Sequence, residues 1–574
     1  MKSTRSLLAC AVAGILGLLP WVAVAQGGPD YSPVTEQRLL KPEPHNWLMY
    51  RGTYDGWGYS PLDQITTKNV KKLSPVWSLS TGVEEGHQSP PIVNNGIMFI
   101  STPKQQVIAL NAKTGDLLWR YKKELPDDLT QLHPTNRGVG LYEDKVYLGT
   151  VDAHLVALDA KTGKVIWDKT VDDYKKGYYF TLAPLVAKGK IMLGTSGGEV
   201  GIRGYVAAMD AKTGDEVWRT YTIPGPGEPG NDTWPGETWK TGGVSAWITG
   251  SYDPQLNLAF WGTGNAAPWP GDMHPGDNLY SSSVIALDVD TGKIKAHHQY
   301  HWNDSWDWDE VSMPLLIDVP RDGRTVKGVV HPGRNGYLWL LERSADAIKF
   351  VNAKPYVYQE VFTSIDAKTG RPSYDMEKKP ANGKPATFCP GLWGGKDWPP
   401  AAYSPQTGYL YIPANENLCS TLVGKEGPYE SGKLYVGVDR AATKMSIRDG
   451  AQHIGELQAW DLKTMERVWT HKFKYQNWGP VMATAGGLVF LGGTNDRNFR
   501  AFDAKTGDLL WEYRTNSGIT GVPSAYAVDG VQYIAVQSGW GVDAQRMQGR
   551  LDTFLNTKTD VPQGGVLWVF AVRE

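Results

Sequence analysis

Apolar and polar positions alternate in short bursts along this chain, and one burst recurs. It reads ALNAKTGDLLW at 109–119, ALDAKTGKVIW at 157–167, AMDAKTGDEVW at 208–218 and AFDAKTGDLLW at 501–511. Looser copies are ALDVDTGKIKA at 286–296, SIDAKTGRPSY at 364–374 and AWDLKTMERVW at 459–469. Each copy predicts strand, turn, strand. An apolar pair enters, Asp or Asn bonds the turn backbone, Thr-Gly takes the left-handed step, and the second strand ends in Trp. Further β-like runs such as GIMFIST and KVYLGTV lie between copies. Closely spaced copies stand 42 to 51 residues apart, room for a four-stranded unit.

The positions ending each copy are Trp77, Trp119, Trp167, Trp218, Ala296, Tyr374, Trp469 and Trp511, with Trp77 included by position alone. That count predicts an all-β fold, an eight-bladed β-propeller whose tryptophan-docking repeats pack blade on blade. Wider gaps, such as 218 to 296, hold insertions. The apolar run GGVLWVFAV, 564–572, is placed to close the ring against N-terminal strands. Residues 26–574 then form a single propeller domain.

Composition agrees. Glycine (65), tryptophan (24) and tyrosine (28) are abundant, and long helical periodicities are hard to find. Charge is balanced at 58 Lys+Arg against 60 Asp+Glu, which offers nothing to nucleic acid. Lys2 and Arg5 precede an apolar run from Leu7 to Val24, and Ala23-Val24-Ala25 supplies a small-residue cleavage site, so residues 1–25 read as an export signal. A lipoprotein site at Cys10 is the rival reading, but Cys10 stands early in the apolar run. No later stretch is long and apolar enough for a membrane anchor. The expected location is the periplasm. Cys389 and Cys419 would remain, as one disulfide closing a long loop or as two separate buried thiols. No C-x-x-C-H occurs, so covalent c-type haem is excluded.

The chemistry gathers in inserts between repeats. In NDSWDWDEVS, 303–312, Asp307 and Asp309 alternate with Trp306 and Trp308. In an extended segment both acids point one way and both tryptophans the other. Like charges on one face repel unless a cation or proton lies between them. A solvated acidic turn is the alternative. GPGEPG, 225–230, spells a dinucleotide fingerprint but holds two prolines and opens no helix. His297, His298 and His301 suggest a metal cluster, yet adjacent histidines diverge, which favours packing or surface roles.

A series of motifs in order then resembles the pyrroloquinoline quinone (PQQ)-dependent alcohol dehydrogenases, the family of methanol and ethanol dehydrogenases. They are TNRG (135–138), TSGGEVGIRGY (195–205), GGVSAW (242–247), FWGTGNAAPW (260–269), NDSWDWD (303–309), HPGRNG (331–336) and WGPVMATAGGLVF (478–490). The resemblance covers nearly all of the chain after the signal. It implies Glu199, Asn265 and Asp307 as metal ligands, all oxygen donors suited to a hard cation. Asp307 would also be the catalytic base and Arg334 the group beside the reactive quinone carbonyl. Trp247 would stack beneath PQQ. Arg137, Thr181, Ser196, Gly197, Gly198 and Ser245 would contact it, with Gln88, Asp397, Trp478 and Trp540 completing the cofactor set. Lys396 and Trp398 would lie at the pocket edge, and Cys389–Cys419 would match a family disulfide. Asp309 stands where lanthanide-using members carry Asp, which implies one lanthanide ion (La³⁺ or Ce³⁺) supporting more activity than Ca²⁺, with Ca²⁺ the alternative.

The sequence departs from the family twice. Gln88 replaces a common Glu, and Gln131-Leu132 occupies the place of an adjacent cysteine pair. The implied reaction is alcohol oxidation. A cation polarises the quinone, Arg334 stabilises the developing negative charge, Asp307 accepts the hydroxyl proton and hydride passes to PQQ. Electrons would go to a soluble cytochrome c, and a homodimer is left open. The rivals are a PQQ enzyme for sugars, polyols or polymers, its entrance shaped by the Glu416–Glu456 insert, and a non-catalytic propeller scaffold.

Overall fold

In each repeat the residue before the turn does what the sequence asks of it. Asn111 Oδ1 accepts the backbone N–H of Lys113 at 2.9 Å, and Asp159 Oδ1 accepts those of Lys161 at 3.1 Å and Thr162 at 2.8 Å. The strands on either side pair antiparallel, Ala109 facing Trp119 and Ala157 facing Trp167. The computed structural model describes residues 29–129 and 132–573. The expected export signal at 1–25, Cys10 and Gln131 lie outside them.

Among the described residues, strands assemble into eight sheets of four or five strands, one two-stranded sheet and one three-stranded sheet. Seven of the eight larger sheets follow chain order in their main strands. The other mixes the two ends of the chain: Leu73–Ser80 pairs with Val566–Val572, Leu73 facing Val572, beside Val531–Ser538 and Ser524–Val528. The run at 564–572 thus pairs with an N-terminal strand, as expected.

Tryptophans link one sheet to the next. The indole N–H of Trp119 donates to Ala160 O at 3.0 Å, that of Trp167 to Lys212 O at 3.0 Å and that of Trp218 to Val289 O at 2.9 Å. Trp469 and Trp511 repeat this toward Ala504 O at 3.2 Å and Leu73 O at 2.9 Å. The rings of Trp119, Trp167, Trp218 and Trp469 each lie over a turn glycine of the following sheet. A Cβ on Gly163 would come within 2.5 Å of the Trp119 ring, and one on Gly115 within 2.7 Å of Trp77. So Gly in the Thr-Gly pair serves two needs: positive φ, 70° at Gly163, and room for the neighbour's indole.

The copy at 364–374 departs from expectation. Its strands Phe362–Ile365 and Pro372–Tyr374 form the separate two-stranded sheet, so Tyr374 does not end a large one. The fifth large sheet is instead Leu315–Arg321, Arg324–Pro332, Tyr337–Arg343 and Ile348–Pro355, which no repeat announces. One helix of 14 residues, Val542–Leu555, was also not expected. Its sequence holds Gly549 and starts at Gly541 without a capping side chain, which hides it from periodicity.

Candidate active site

The segment 303–312 forms no strand, and Asp307 has φ 65°, a left-handed conformation rare for a residue with a side chain. The predicted alternation survives nonetheless. Trp306 and Trp308 stack with centroids 4.9 Å apart, fully buried, their N–H groups on Lys378 O at 2.7 Å and Gly391 O at 3.0 Å. Asp307 and Asp309 line a cavity of about 170 Å³ that opens to solvent. Asp304, fully buried, holds this shape: its carboxylate accepts the backbone N–H of Trp306 at 3.1 Å and of Asp307 at 2.9 Å. The solvated-turn alternative does not hold, since all four acids from Asp304 to Glu310 are buried.

Arg334 is the centre of the charges. Its guanidinium lies 3.4 Å from Asp307, 3.3 Å from Asp309 and 3.6 Å from Asp397, and it donates to Leu392 O at 3.1 and 2.8 Å. Its backbone is fixed from behind by buried Glu310, which accepts Arg334 N at 3.0 Å and lies 2.7 Å from His331 Nε2. One guanidinium facing three carboxylates leaves negative charge uncompensated. Burial raises Asp307 well above the carboxylate range, with Arg334 opposing and Asp309 and Glu199 adding to the rise. Burial likewise pushes Asp309 up to about 7.

Glu199 lines the same cavity. It rides on the 3-10 turn Gly198–Val200, entered through Gly197 at φ 108°, where a Cβ would strike Gly177 O at 2.1 Å. Asn265 reaches the group through its backbone, donating to Asp309 Oδ1 at 2.9 Å. Trp247 forms another wall and donates its indole N–H to Asp309 Oδ2 at 3.1 Å. A smaller adjoining cavity is lined by Arg137, Thr181, Ser196, Gly197, Glu199 and Trp247, with His133 and Tyr179. There Arg137 donates to Thr181 Oγ1 at 2.6 Å, Thr181 meets Ser196 Oγ at 2.9 Å, and the guanidinium sits between the Trp247 and Trp398 rings at 4.7 and 4.9 Å. Ser245 borders Asp309: a Cβ on Gly264 would come within 3.0 Å of Ser245 Oγ and 2.4 Å of Asp309 Oδ1.

Several expected residues stand off the cavity walls. Gln88, Trp478 and Trp540 are buried behind them, and both polar atoms of Gln88, with the N–H groups of Trp478 and Trp398, have no partner. Lys396 turns into the wall, donating to Ser312 Oγ at 2.6 Å and Asp397 O at 2.7 Å. Of the histidines, His301 is buried 3.0 Å from Asp304 and His298 packs against Phe350, so neither serves a metal cluster. Cys389 and Cys419 are bonded, and the loop they secure carries Gly391, Leu392 and Asp397. Asp304 and Glu310 were visible as acids but not as supports. The insert at 416–456 sends Leu434, Val436, Val438 and Arg440 to the cavity; their period-two spacing was the available signal.

Comparison with known proteins decides the family. The β-propeller domain of glucose, ethanol and alcohol dehydrogenases that use PQQ matches residues 47–347 and 362–534. The chain belongs to the PQQ-dependent alcohol dehydrogenase family. It is 37% identical to the quinoprotein alcohol dehydrogenase PedH of Pseudomonas putida, covering 96% of this chain and 95% of that one. It is also 37% identical to the lanthanide-dependent methanol dehydrogenase of Methylacidiphilum fumariolicum, over 88% of this chain and 86% of the other. A solved europium-containing methanol dehydrogenase superposes with a TM-score of 0.87 at 35% identity, over 93% of this chain and all of its own. Within this family member, no described helix is long and apolar enough to cross a membrane.

Proposed function

We propose that this protein oxidises alcohols to aldehydes or ketones with PQQ and one metal ion. The observation that carries the reading is the set Asp307, Asp309, Asp397 and Glu199 gathered with Arg334 on one cavity beside the Trp247 wall. Four buried or half-buried acids against one arginine suit a cation and an electron-poor ligand better than water alone.

The donors fit such a pair. Among the described residues, no three His, Cys, Asp or Glu side chains form a ready-made metal cage, so a cation here would need oxygens from the cofactor as well. Asp309 accepts three hydrogen bonds, from Asn265 N, Trp247 and Arg334, which leaves one of about four lone-pair positions free. Asp307 accepts only from Arg334 through its side chain, leaving most of its carboxylate open. Glu199, Asn265, Asp307 and Asp309 would hold the cation. Arg137, Thr181, Ser196 and Ser245 would take the polar rim of PQQ, and the unpartnered Gln88, Trp398 and Trp478 groups suit a polar ligand nearby. When bound, PQQ and its cation supply an electrophilic carbonyl that accepts hydride.

The chain's own residues do the rest. Asp307 Oδ accepts the proton of the substrate hydroxyl, and a neighbouring cation favours its ionised form. Arg334 directs its N–H groups toward charge that develops beside Asp307. Trp247 and Trp393 wall the reacting end from water. We assign the chain to the periplasm on the strength of residues 1–25, and a separate soluble cytochrome c as acceptor because the sequence has no haem-attachment motif. The eight larger sheets are read as blades of one ring, closed by the Leu73–Ser80 strand. Asp307→Asn tests the base: apo-protein should still bind PQQ, seen by its absorbance, while turnover falls about 100-fold or more. Near-normal turnover at saturating metal would remove Asp307 from this role.

A further inference from the structure

The outer part of the main cavity is lined by residues that this chemistry does not use. Leu434, Val436 and Val438 come from alternate positions of one segment and form an apolar wall. The segment is pinned at the site itself, Tyr435 N donating to Glu199 O at 2.7 Å and Trp269 N to Val436 O at 2.9 Å. Beyond the wall stand three arginines: Arg440 at the segment's end, and Arg546 and Arg550 from the helix Val542–Leu555. Arg546 is engaged, 3.2 Å from Asp543 Oδ1 and donating to Leu132 O at 2.7 Å. Asp543 is shared further with His133 at 3.1 Å. Among the described residues, Arg440 makes no ion pair, and Arg550 bonds only Thr443 O at 3.3 Å while lying 5.7 Å from the Trp393 ring centroid. Burial and the proximity of Arg440 and Arg546 both disfavour the charge on Arg550.

The cavity is therefore polarised along its length. Its deep end holds Asp307, Asp309 and Arg334, all buried, and its rim holds Arg440 and Arg546, both exposed, with half-buried Arg550. Asp543 balances Arg546, but among the described residues Arg440 and Arg550 have no carboxylate partner; those two repel one another, and an anion between them reverses that balance. An uncharged alcohol would use the deep end and the apolar wall but bring no anion to Arg440 and Arg550.

We infer that the cavity takes alcohols that also carry a carboxylate: the hydroxyl reaches Asp307, a short apolar chain lies along Leu434, Val436 and Val438, and Arg440 and Arg550 receive the anionic end. The inference rests on the alcohol oxidation proposed above and narrows its substrate class.

The experiment compares ω-hydroxyalkanoates of graded chain length with the matching 1-alkanols, using protein loaded with PQQ and metal and a dye acceptor. In wild type the acid-to-alcohol ratio of kcat/KM should exceed one and peak at one chain length. It should decline as salt screens the arginines. In Arg440→Ala/Arg550→Ala that ratio should fall about tenfold or more, through KM. Hexanoate, which cannot be oxidised at its methyl end, gives a readout independent of turnover: calorimetry should detect its binding to wild type and not to the double variant. A ratio at or below one at every length, or equal ratios in wild type and variant, would overturn the inference while leaving alcohol oxidation standing. A change confined to the acceptor's KM would overturn it too, placing the arginines on the electron-transfer surface. Oxidation of neither series would instead defeat the proposed function, and the hexanoate result would still judge the arginines.

Discussion

Asp309 is where one side chain carries the most consequence. It bonds Arg334, Trp247 and Asn265 N, so it has a structural task whatever ion is present. As a metal ligand it would add a third carboxylate to Glu199 and Asp307, a density better balanced by a trivalent ion than a divalent one. Metal-stripped Asp309→Ala should keep a Ca²⁺ response but lose most of the gain given by La³⁺, read as initial rate in separate titrations. Full wild-type activity on Ca²⁺ alone, with an undiminished La³⁺ response in the variant, would leave Asp309 only its hydrogen bonds. The acids were legible at this scale because alternation with tryptophan sorts side chains by face. The roles of Asp304 and Glu310 were not, since an acid that caps buried backbone reads in sequence like an acid that faces a ligand.

Among elements, the loop from Cys389 to Asp397 holds the site, and the segment around His87 forms a buried joint between Thr81 and Gly539. The disulfide closes a 30-residue separation, worth about 3–4 kcal/mol by chain entropy. Leu392 in that loop accepts two N–H groups of Arg334. Reduction, or Cys389→Ser with Cys419→Ser, should lower the unfolding free energy by about that amount and reduce kcat; unchanged stability on reduction would contradict it. The His87 ring is fully buried, Nδ1 2.7 Å from Glu85 O and Nε2 2.8 Å from Thr81 Oγ1, and the backbone N–H of His87 donates to Gly539 O at 3.2 Å. Burial pulls its imidazole down to about 4. Above about pH 6.5 the ring is neutral folded or unfolded. Between 6.5 and 4 only the unfolded chain takes up the proton, so stability falls with falling pH by about 3 kcal/mol. Thermal melts from pH 7 to 4 should therefore steepen in wild type relative to His87→Gln, and parallel curves would rule this out. The repeat hairpins were readable because their turn chemistry is local. The Leu315–Pro355 sheet and the Val542–Leu555 helix were not, because burial against distant neighbours, rather than turn residues or a strong period, defines them.

At the scale of the whole molecule, the repeat places tryptophan against the next sheet's glycine, and the inserts between repeats carry the acids, arginines and tryptophans to one cavity. Much of this could be read from the chain: six of the seven repeat copies, the strand Val566–Val572 that pairs with Leu73–Ser80, and the ordered motifs around Arg137, Glu199, Asp307 and Arg334. What could not be read was which inserts meet, since Leu434 and Arg550 are far apart in sequence and share a wall only through the fold. The account's central claim is that this cavity oxidises alcohols through PQQ and a metal ion. The most direct measurement is reconstitution: strip the purified protein of cofactor and metal, then assay alcohol oxidation with a dye acceptor after adding PQQ, metal, both or neither, and separately with NAD. The account predicts activity only when PQQ and metal are both present and none with NAD; activity with NAD, or equal rates without PQQ, would contradict it.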